Sequence, residues 1–228
     1  TAFDHDFAHF VANCEKDARV IKALGSVLAG SPRPLLLTSG TGAGIAVAGQ
    51  PAMEDVFNPE HRNPRVASEL AGADLLAAGD AVSVMRLPQV HDTTRQGLVS
   101  PLIDIAREKG VSAYVGEGLN RWPAAHVLDV ARLYRLAIEK CKPGERYHAV
   151  DEEGVCVRDI AQVIGAGLNV PVKSIDASGA PDHFGWLGGF VGLDLTASSA
   201  WTRRVLDWHP TGPSLMDDLE HMDYSRRD

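Results

Sequence analysis

Several residues carry side chains that could do chemistry. Ser39 ends the apolar run Pro34-Leu35-Leu36-Leu37-Thr38, where a serine hydroxyl could act as a nucleophile or hydrogen-bond a ligand. A nucleophile elbow needs glycine two residues before the serine, and Leu37 stands there, so a serine hydrolase is disfavoured. At the carboxyl end of a buried parallel strand a serine is well placed to contact a ligand, because open α/β sheets bind ligands outside those ends. The glycines of Gly40-Thr41-Gly42-Ala43-Gly44 follow at once, as in a dinucleotide fingerprint. The third glycine of that fingerprint would fall at Ile45 in one register and at Val47 in the other, and Pro51 and Asn58-Pro59 interrupt any helix, so the stretch reads as a loop.

The histidines give weaker signals. His5 and His9 stand four apart on a helical stretch, a spacing open to two metal ligands. No third ligand accompanies them, and an ordinary surface or capping pair is the preferred reading, so no metal is expected. His91, His126 and His183 each fall near a strand end or turn, where a polar pocket residue or a structural histidine is expected. Three widely spaced cysteines, Cys14, Cys141 and Cys156, suggest reduced thiols and neither a disulfide framework nor a zinc cluster.

The elements that must hold these groups follow from periodicity. Apolar residues recur at helical spacing over 7–28, 65–78, 98–109, 125–140 and 157–168, and Asp6 could cap the first of these helices. Short apolar or β-branched runs, PLLLTSG, AVSVMRLP, SAYVG, RYHAV and PVKSI, read as strands between them. Alternation of this kind implies βαβ units and a mostly parallel sheet. The tail beyond Asp176, with Trp186, Trp201 and Trp208, reads as a small helical cap able to close a ligand cleft.

Composition bounds the function. The 228 residues are 45% hydrophobic and 23% charged, ordinary values for a globular chain with a buried core. A net charge of -8 supplies no basic field for a phosphate backbone, so nucleic acid is not an expected partner. No run approaches the roughly 20 apolar residues that cross a bilayer, and a cytoplasmic protein without a membrane partner is expected.

Three stretches together go further: the strand end LLLTSG, the run SVMRLPQVHD, and the block GEGLNRWPAAHVLDVARLYRLAIEK followed by GERYHAVDEEGVCVRDIAQVIGAGLNVPV. They resemble the extended short-chain dehydrogenase/reductase superfamily, the NAD-dependent epimerase/dehydratase group, in an atypical form. The resemblance implies an α/β, Rossmann-type doubly wound parallel sheet over residues 1–150, interleaved with a small, mostly helical C-terminal substrate lobe over 151–228. It implies NAD or NADP as cofactor and a small hydroxyl or carbonyl substrate. It places Thr1, Ala2 and Phe3 at the end of a strand beside the nucleotide, and makes 35–40 the following strand. About 60 to 80 residues carrying the first strands and their glycine turn would then lie upstream of Thr1, so the chain reads as a fragment with an uncovered strand edge.

The resemblance also assigns site residues. Thr38 and Ser39 match the Ser/Thr that meets substrate and nicotinamide, with Gly40 an alternative equivalent. Leu87, Pro88, Gln89 and Val90 match the loop whose backbone meets the carboxamide. Asn120, Arg121, Trp122 and His126 match the entrance to the substrate lobe, and Trp122 could equally be core. His183, Phe184 and Trp186 are expected in the same cavity or in packing. At the superfamily's Tyr-x-x-x-Lys positions stand Arg65 and Glu69. Arginine stays protonated, so it can hold an oxyanion but shuttles protons poorly. Arg65 and Glu69 are therefore either a catalytic pair of altered chemistry or an i, i+4 ion pair on a helix surface. Two functions stay open: an NAD(P)-dependent oxidoreductase or epimerase/dehydratase-like enzyme, or a catalytically silent NAD(P)-binding sensor or scaffold. A homodimer pairing the 7–28 and 65–78 helices is expected by the same analogy.

Overall fold

A computed structural model describes residues 3–226, so Thr1 and Ala2, both assigned to the cofactor by the sequence, lie outside the described residues. The chain divides into two compact units. Unit 1 takes residues 1–87, 131–149 and 197–209, and unit 2 takes 88–130, 150–196 and 210–228.

Unit 1 is built on a parallel sheet ordered β1 (Leu35–Gly40), β2 (Val82–Leu87) and β6 (Arg146–His148). β1 and β2 run in register from Leu35 opposite Val82 to Gly40 opposite Leu87, and β2 meets β6 with Arg86 opposite His148. Among the described residues β1 is an edge strand, paired with β2 on one side. Helices α1 (Phe10–Leu28) and α2 (Val66–Ala77) pack on each other. Their close approach depends on glycines: a Cβ at Gly25 would press on the Leu75 side chain, and one at Gly72 would press on Leu37 Cδ1. Ile21, Leu37, Ala71, Val82 and Val84 form the resulting apolar core. Asp6 does cap, accepting from the Ala8 N–H at the short 3-10 turn that leads into α1. Residues 41–65 form a connection with a 3-10 turn at Thr41–Gly44, and α8 (Ala200–Leu206) completes the unit.

Unit 2 holds two small sheets. In one, β3 (Gln89–His91) and β5 (Arg121–His126) are parallel, and β5 pairs antiparallel with β7 (Glu152–Cys156). The β5–β7 ladder is irregular between Trp122 and Ala124, where Pro123 lacks an N–H to donate. In the other, β4 (Ser112–Val115) and β8 (Val172–Ile175) are parallel. Around them lie α3 (Val99–Lys109), α5 (Val157–Leu168), the short α6 (Ala180–Phe184) and α7 (Gly188–Val191), and α9 (Leu215–His221). Helix α4 (Val127–Lys140) begins in unit 2 and continues in unit 1. Left-handed residues stop α3 at Gly110 (φ 64°) and α5 at Asn169 (φ 54°). Ser214 and Asp217 form a reciprocal capping box at the start of α9. The core gathers Trp122, Ile160, Ile164, Phe184, Leu187, Leu215 and Leu219.

The strand at 82–87, read as ending at Pro88, is followed at once by β3, and β5 and β7 add two strands that the sequence periodicity does not announce. No helix among the described residues is long and apolar enough to cross a membrane.

Candidate functional site

In unit 1 the candidate residues gather at the carboxyl ends of β1 and β2. Parallel pairing carries Ser39 and Gly40 to one end of the sheet beside Arg86 and Leu87. Ser39 is buried and its Oγ makes no hydrogen bond of full geometry. It stands close enough to the Glu69 carboxylate to help hold it ionised. A buried hydroxyl beside a carboxylate at the carboxyl end of a parallel strand stands where a ligand would find a hydrogen-bond partner.

Arg65 and Glu69 do not pair with each other. The Arg65 guanidinium donates to Asp17 Oδ2 on α1 at 2.6 Å and to Ser68 Oγ, and its Nη2 donates to the Thr38 carbonyl at 2.9 Å. The Phe3 ring lies against it, 3.9 Å from Cζ to centroid. Arg65 is thus a clamp joining α1, α2 and β1, and the i, i+4 pair with Glu69, one of the two readings open in the sequence, does not form. Glu69 points inward and takes a two-pronged ion pair from Arg86, Nε and Nη2 each at 2.8 Å, with both side chains fully buried. Arg146 Nε adds a contact at 3.3 Å. Burial pushes the Glu69 carboxyl up, but the Arg86 hydrogen bonds and charge, helped by Ser39 and Arg146, outweigh it and leave it below the ordinary range.

The same arginine anchors a histidine that sequence reading passed over. Arg86 Nη1 donates to His148 Nε2 at 3.2 Å and to the Met53 carbonyl at 3.2 Å, and His148 Nδ1 donates to the Ser198 carbonyl at 2.8 Å. Burial, with the Arg86 charge beside it, pushes the imidazole down to about 3, so His148 is a neutral acceptor. Gly44 makes room for this arrangement: a Cβ there would come within 2.5 Å of Met53 O and 2.7 Å of Arg86 Nη1. That glycine makes room for packing at the end of the 3-10 turn that follows β1. Thr38 Oγ1 and the Tyr134 hydroxyl lie 2.7 Å apart. The signal that could have found this cluster is alternation in β2 and β6, which puts Arg86 and His148 opposite each other.

Unit 2 places its candidates separately. Gln89 is buried and its Oε1 accepts from the Leu98 N–H at 2.7 Å, so its side chain positions the start of α3. Pro88 and Val90 are half-buried, as is Leu87 at the end of β2 in unit 1, and Val90 pairs with Ala125 in the β3–β5 ladder. Asn120 Nδ2 donates to the Val191 and Leu193 carbonyls, both at 2.9 Å, and Arg121 is exposed with Nε 3.6 Å from Asp194. Trp122 is fully buried and its indole donates to the Leu193 carbonyl, so of its two readings the structure shows packing. His183 stacks edge-on against Phe184, its Nε2 buried without a partner and its pKa lowered by burial.

His126 joins a cluster that sequence analysis had not assembled. His91 Nδ1 donates to Asp218 Oδ2 at 2.6 Å, His126 Nε2 lies 4.0 Å from the same oxygen, and the two rings meet edge to face at 5.7 Å. Nearby Asp129, buried, accepts from the N–H groups of Thr211 and Gly212. The partners come from α9 and from the segment before it, more than 80 residues away in sequence, where no spacing rule reaches.

Among the described residues no group of three or more His, Cys, Asp or Glu could hold a metal ion, and the three cysteines are free. His9 pairs with Asp6 at 2.8 Å, as a capping pair would.

No family profile matches the chain. It is 43% identical over 220 residues to uncharacterized protein C2A9.02 of Schizosaccharomyces pombe, a match covering 96% of this chain and 74% of that protein. It is 39% identical over 218 residues to uncharacterized protein YLL056C of Saccharomyces cerevisiae, covering 95% and 73%. Among solved structures it resembles DesIV, a dTDP-glucose 4,6-dehydratase from Streptomyces venezuelae crystallised with NAD and TYD, at TM-score 0.73 and 17% identity over 98% of this chain and 69% of that one. It also resembles UDP-glucuronic acid 4-epimerase from Bacillus cereus in complex with NAD, at TM-score 0.69 and 18% identity over 99% and 68%. The chain therefore belongs to one family with the two yeast proteins, and it has the Rossmann-type α/β fold of these dehydratases and epimerases.

Proposed function

We propose that the chain is an NAD(P)-binding protein of the oxidoreductase and epimerase/dehydratase type, acting on a small hydroxyl or carbonyl compound by a route that does not use the usual Tyr/Lys pair. The observation that carries this reading is the buried Ser39 hydroxyl, beside Glu69, at the carboxyl end of a parallel strand, the edge where open α/β sheets take their ligands. The NAD printed for the dehydratase and the epimerase of like fold supports the choice of cofactor. Nicotinamide would supply hydride transfer when bound. Thr38, Ser39 and Phe3 would border it in unit 1, together with the backbone around Leu87. Arg65 and Glu69 act as positioning residues in this reading, since every strong contact they make is to the protein itself. Arg121 and His126 remain the candidates for meeting substrate.

A second reading, a silent NAD(P)-binding sensor or scaffold, is favoured by that same commitment of Arg65 and Glu69 to structural pairs. We also propose a homodimer through the outer faces of α1 and α2, where Val11, Val27 and Leu70 are exposed. The deciding experiment uses the protein expressed from its own gene. NADH and NADPH binding is followed by fluorescence, and cofactor oxidation is then screened against a carbonyl panel, with wild type and Ser39→Ala side by side. Binding with turnover that Ser39→Ala abolishes supports the enzyme; binding without turnover supports the sensor; no binding at millimolar cofactor overturns both.

A further inference from the structure

The buried histidine of unit 2 has one nitrogen satisfied and one not. His91 on β3 is fully buried; Nδ1 donates to Asp218 Oδ2 on α9, while Nε2 has no hydrogen-bond partner. The atom facing Nε2 is Glu152 Oε2 on β7, at 3.9 Å, too far for a hydrogen bond and close enough for one to form after a small shift. Glu152 also receives the Leu215 N–H, the first of α9, at 2.7 Å. One helix is thus tied down twice, once through each carboxylate that flanks the same imidazole.

The protonation of this trio decides whether the second tie is attractive. With a proton on Nε2, or on the Glu152 carboxyl, a donor faces an acceptor and the gap can close. With neither protonated, an imidazole lone pair faces a carboxylate oxygen in a buried setting, which is repulsive and leaves both groups unsatisfied. The other charged groups around the trio are His126 on β5, 4.0 Å from Asp218, and Asp151 and Asp217, which act on Glu152 from a distance. Asp129 stands near His126 across Gly212.

We propose that a proton on the Glu152 carboxyl, donated to His91 Nε2, latches α9 onto the β3–β5–β7 sheet, and that its loss as pH rises releases the helix. The released proton leaves through Glu152, whose side chain is about a quarter exposed (26%). The direction agrees with the Glu152 carboxyl itself: burial raises it above the ordinary value, so folding gains from its proton at low pH and loses that gain as pH rises through the raised value. The latch stands on the orphaned nitrogen and the double tie of α9, and holds whether or not the protein turns over a substrate.

Two measurements test it. In the wild-type protein the 13C shift of the Glu152 carboxyl and the 15N shift of His91 Nε2 are followed together from pH 4 to pH 9; loss of the Glu152 proton with a matching loss of the hydrogen bond at Nε2 is expected, and a Glu152 carboxyl ionised throughout overturns the latch. Glu152→Gln supplies the second. Both contacts of Glu152 fall on Oε2, so the amide keeps one of them, its oxygen at Leu215 N, while the titrating proton is removed. Hydrogen-exchange protection of 215–221, corrected for intrinsic rate and referred to α3, should fall roughly tenfold from pH 4 to pH 9 in wild type, the equivalent of one unit of linked pKa, and stay level in Glu152→Gln. Equal falls in both proteins overturn the proposal.

Discussion

His148 gives the sharpest quantitative test of how unit 1 is held. Its folded pKa of about 3 lies well below the ordinary 6.5, because burial and Arg86 both penalise the charged ring. The unfolded chain therefore takes up a proton that the folded chain refuses. Stability from this residue is complete above pH 6.5 and is lost as pH falls toward 3. Between pH 7.5 and pH 4.5 the linkage costs about 3 kcal/mol, two pKa units at about 1.4 kcal/mol each. His148→Gln removes the titration while keeping an acceptor for Arg86 and a donor for the Ser198 carbonyl. Urea denaturation of both proteins at the two pH values gives a difference of differences in which the carboxylates, common to both, cancel. Wild type should lose about 3 kcal/mol more than the variant on acidification. Parallel losses would refute the picture of a neutral, Arg86-bonded imidazole.

Other perturbations separate structural from chemical roles. Arg65→Leu removes the bonds to Asp17, Ser68 and the Thr38 carbonyl and should cost about 2–3 kcal/mol in urea melts; a variant of unchanged stability that only loses turnover would restore Arg65 to a catalytic role. Asp129→Ala removes the acceptor of the Thr211 and Gly212 N–H groups and should cost about 1–3 kcal/mol, part of it recovered by Asp129→Asn, whose oxygen still accepts; a neutral alanine variant contradicts that anchoring. Val27→Glu, at an exposed position of α1, should convert dimer to monomer in light scattering, and a monomeric wild type refutes the dimer.

The fold was legible where local periodicity and packing agree. Helix α1 buries Ile21 and leaves Val27 exposed, so its stripe is readable, and β1 is a plain apolar run ending in Ser39. Strands β5 and β7 escaped notice for physical reasons: RWPAAH carries a proline that breaks its own ladder, and EEGVC is acidic with a glycine packed under Thr196 and Arg121. The resemblance located Arg65 and Glu69, but not their partners. Which oxygen an arginine meets depends on Asp17 and Arg86, brought in by helix packing and strand pairing. The His91–Asp218 pair spans 127 residues and has no local signature at all.

The most direct test of the cofactor reading is a crystal structure of the protein expressed from its own gene, grown with NADH. The account predicts the nicotinamide at the carboxyl end of β1, with a polar atom within hydrogen-bond distance of Ser39 Oγ. NADH bound elsewhere, or a Ser39 hydroxyl that the cofactor does not reach, would contradict it.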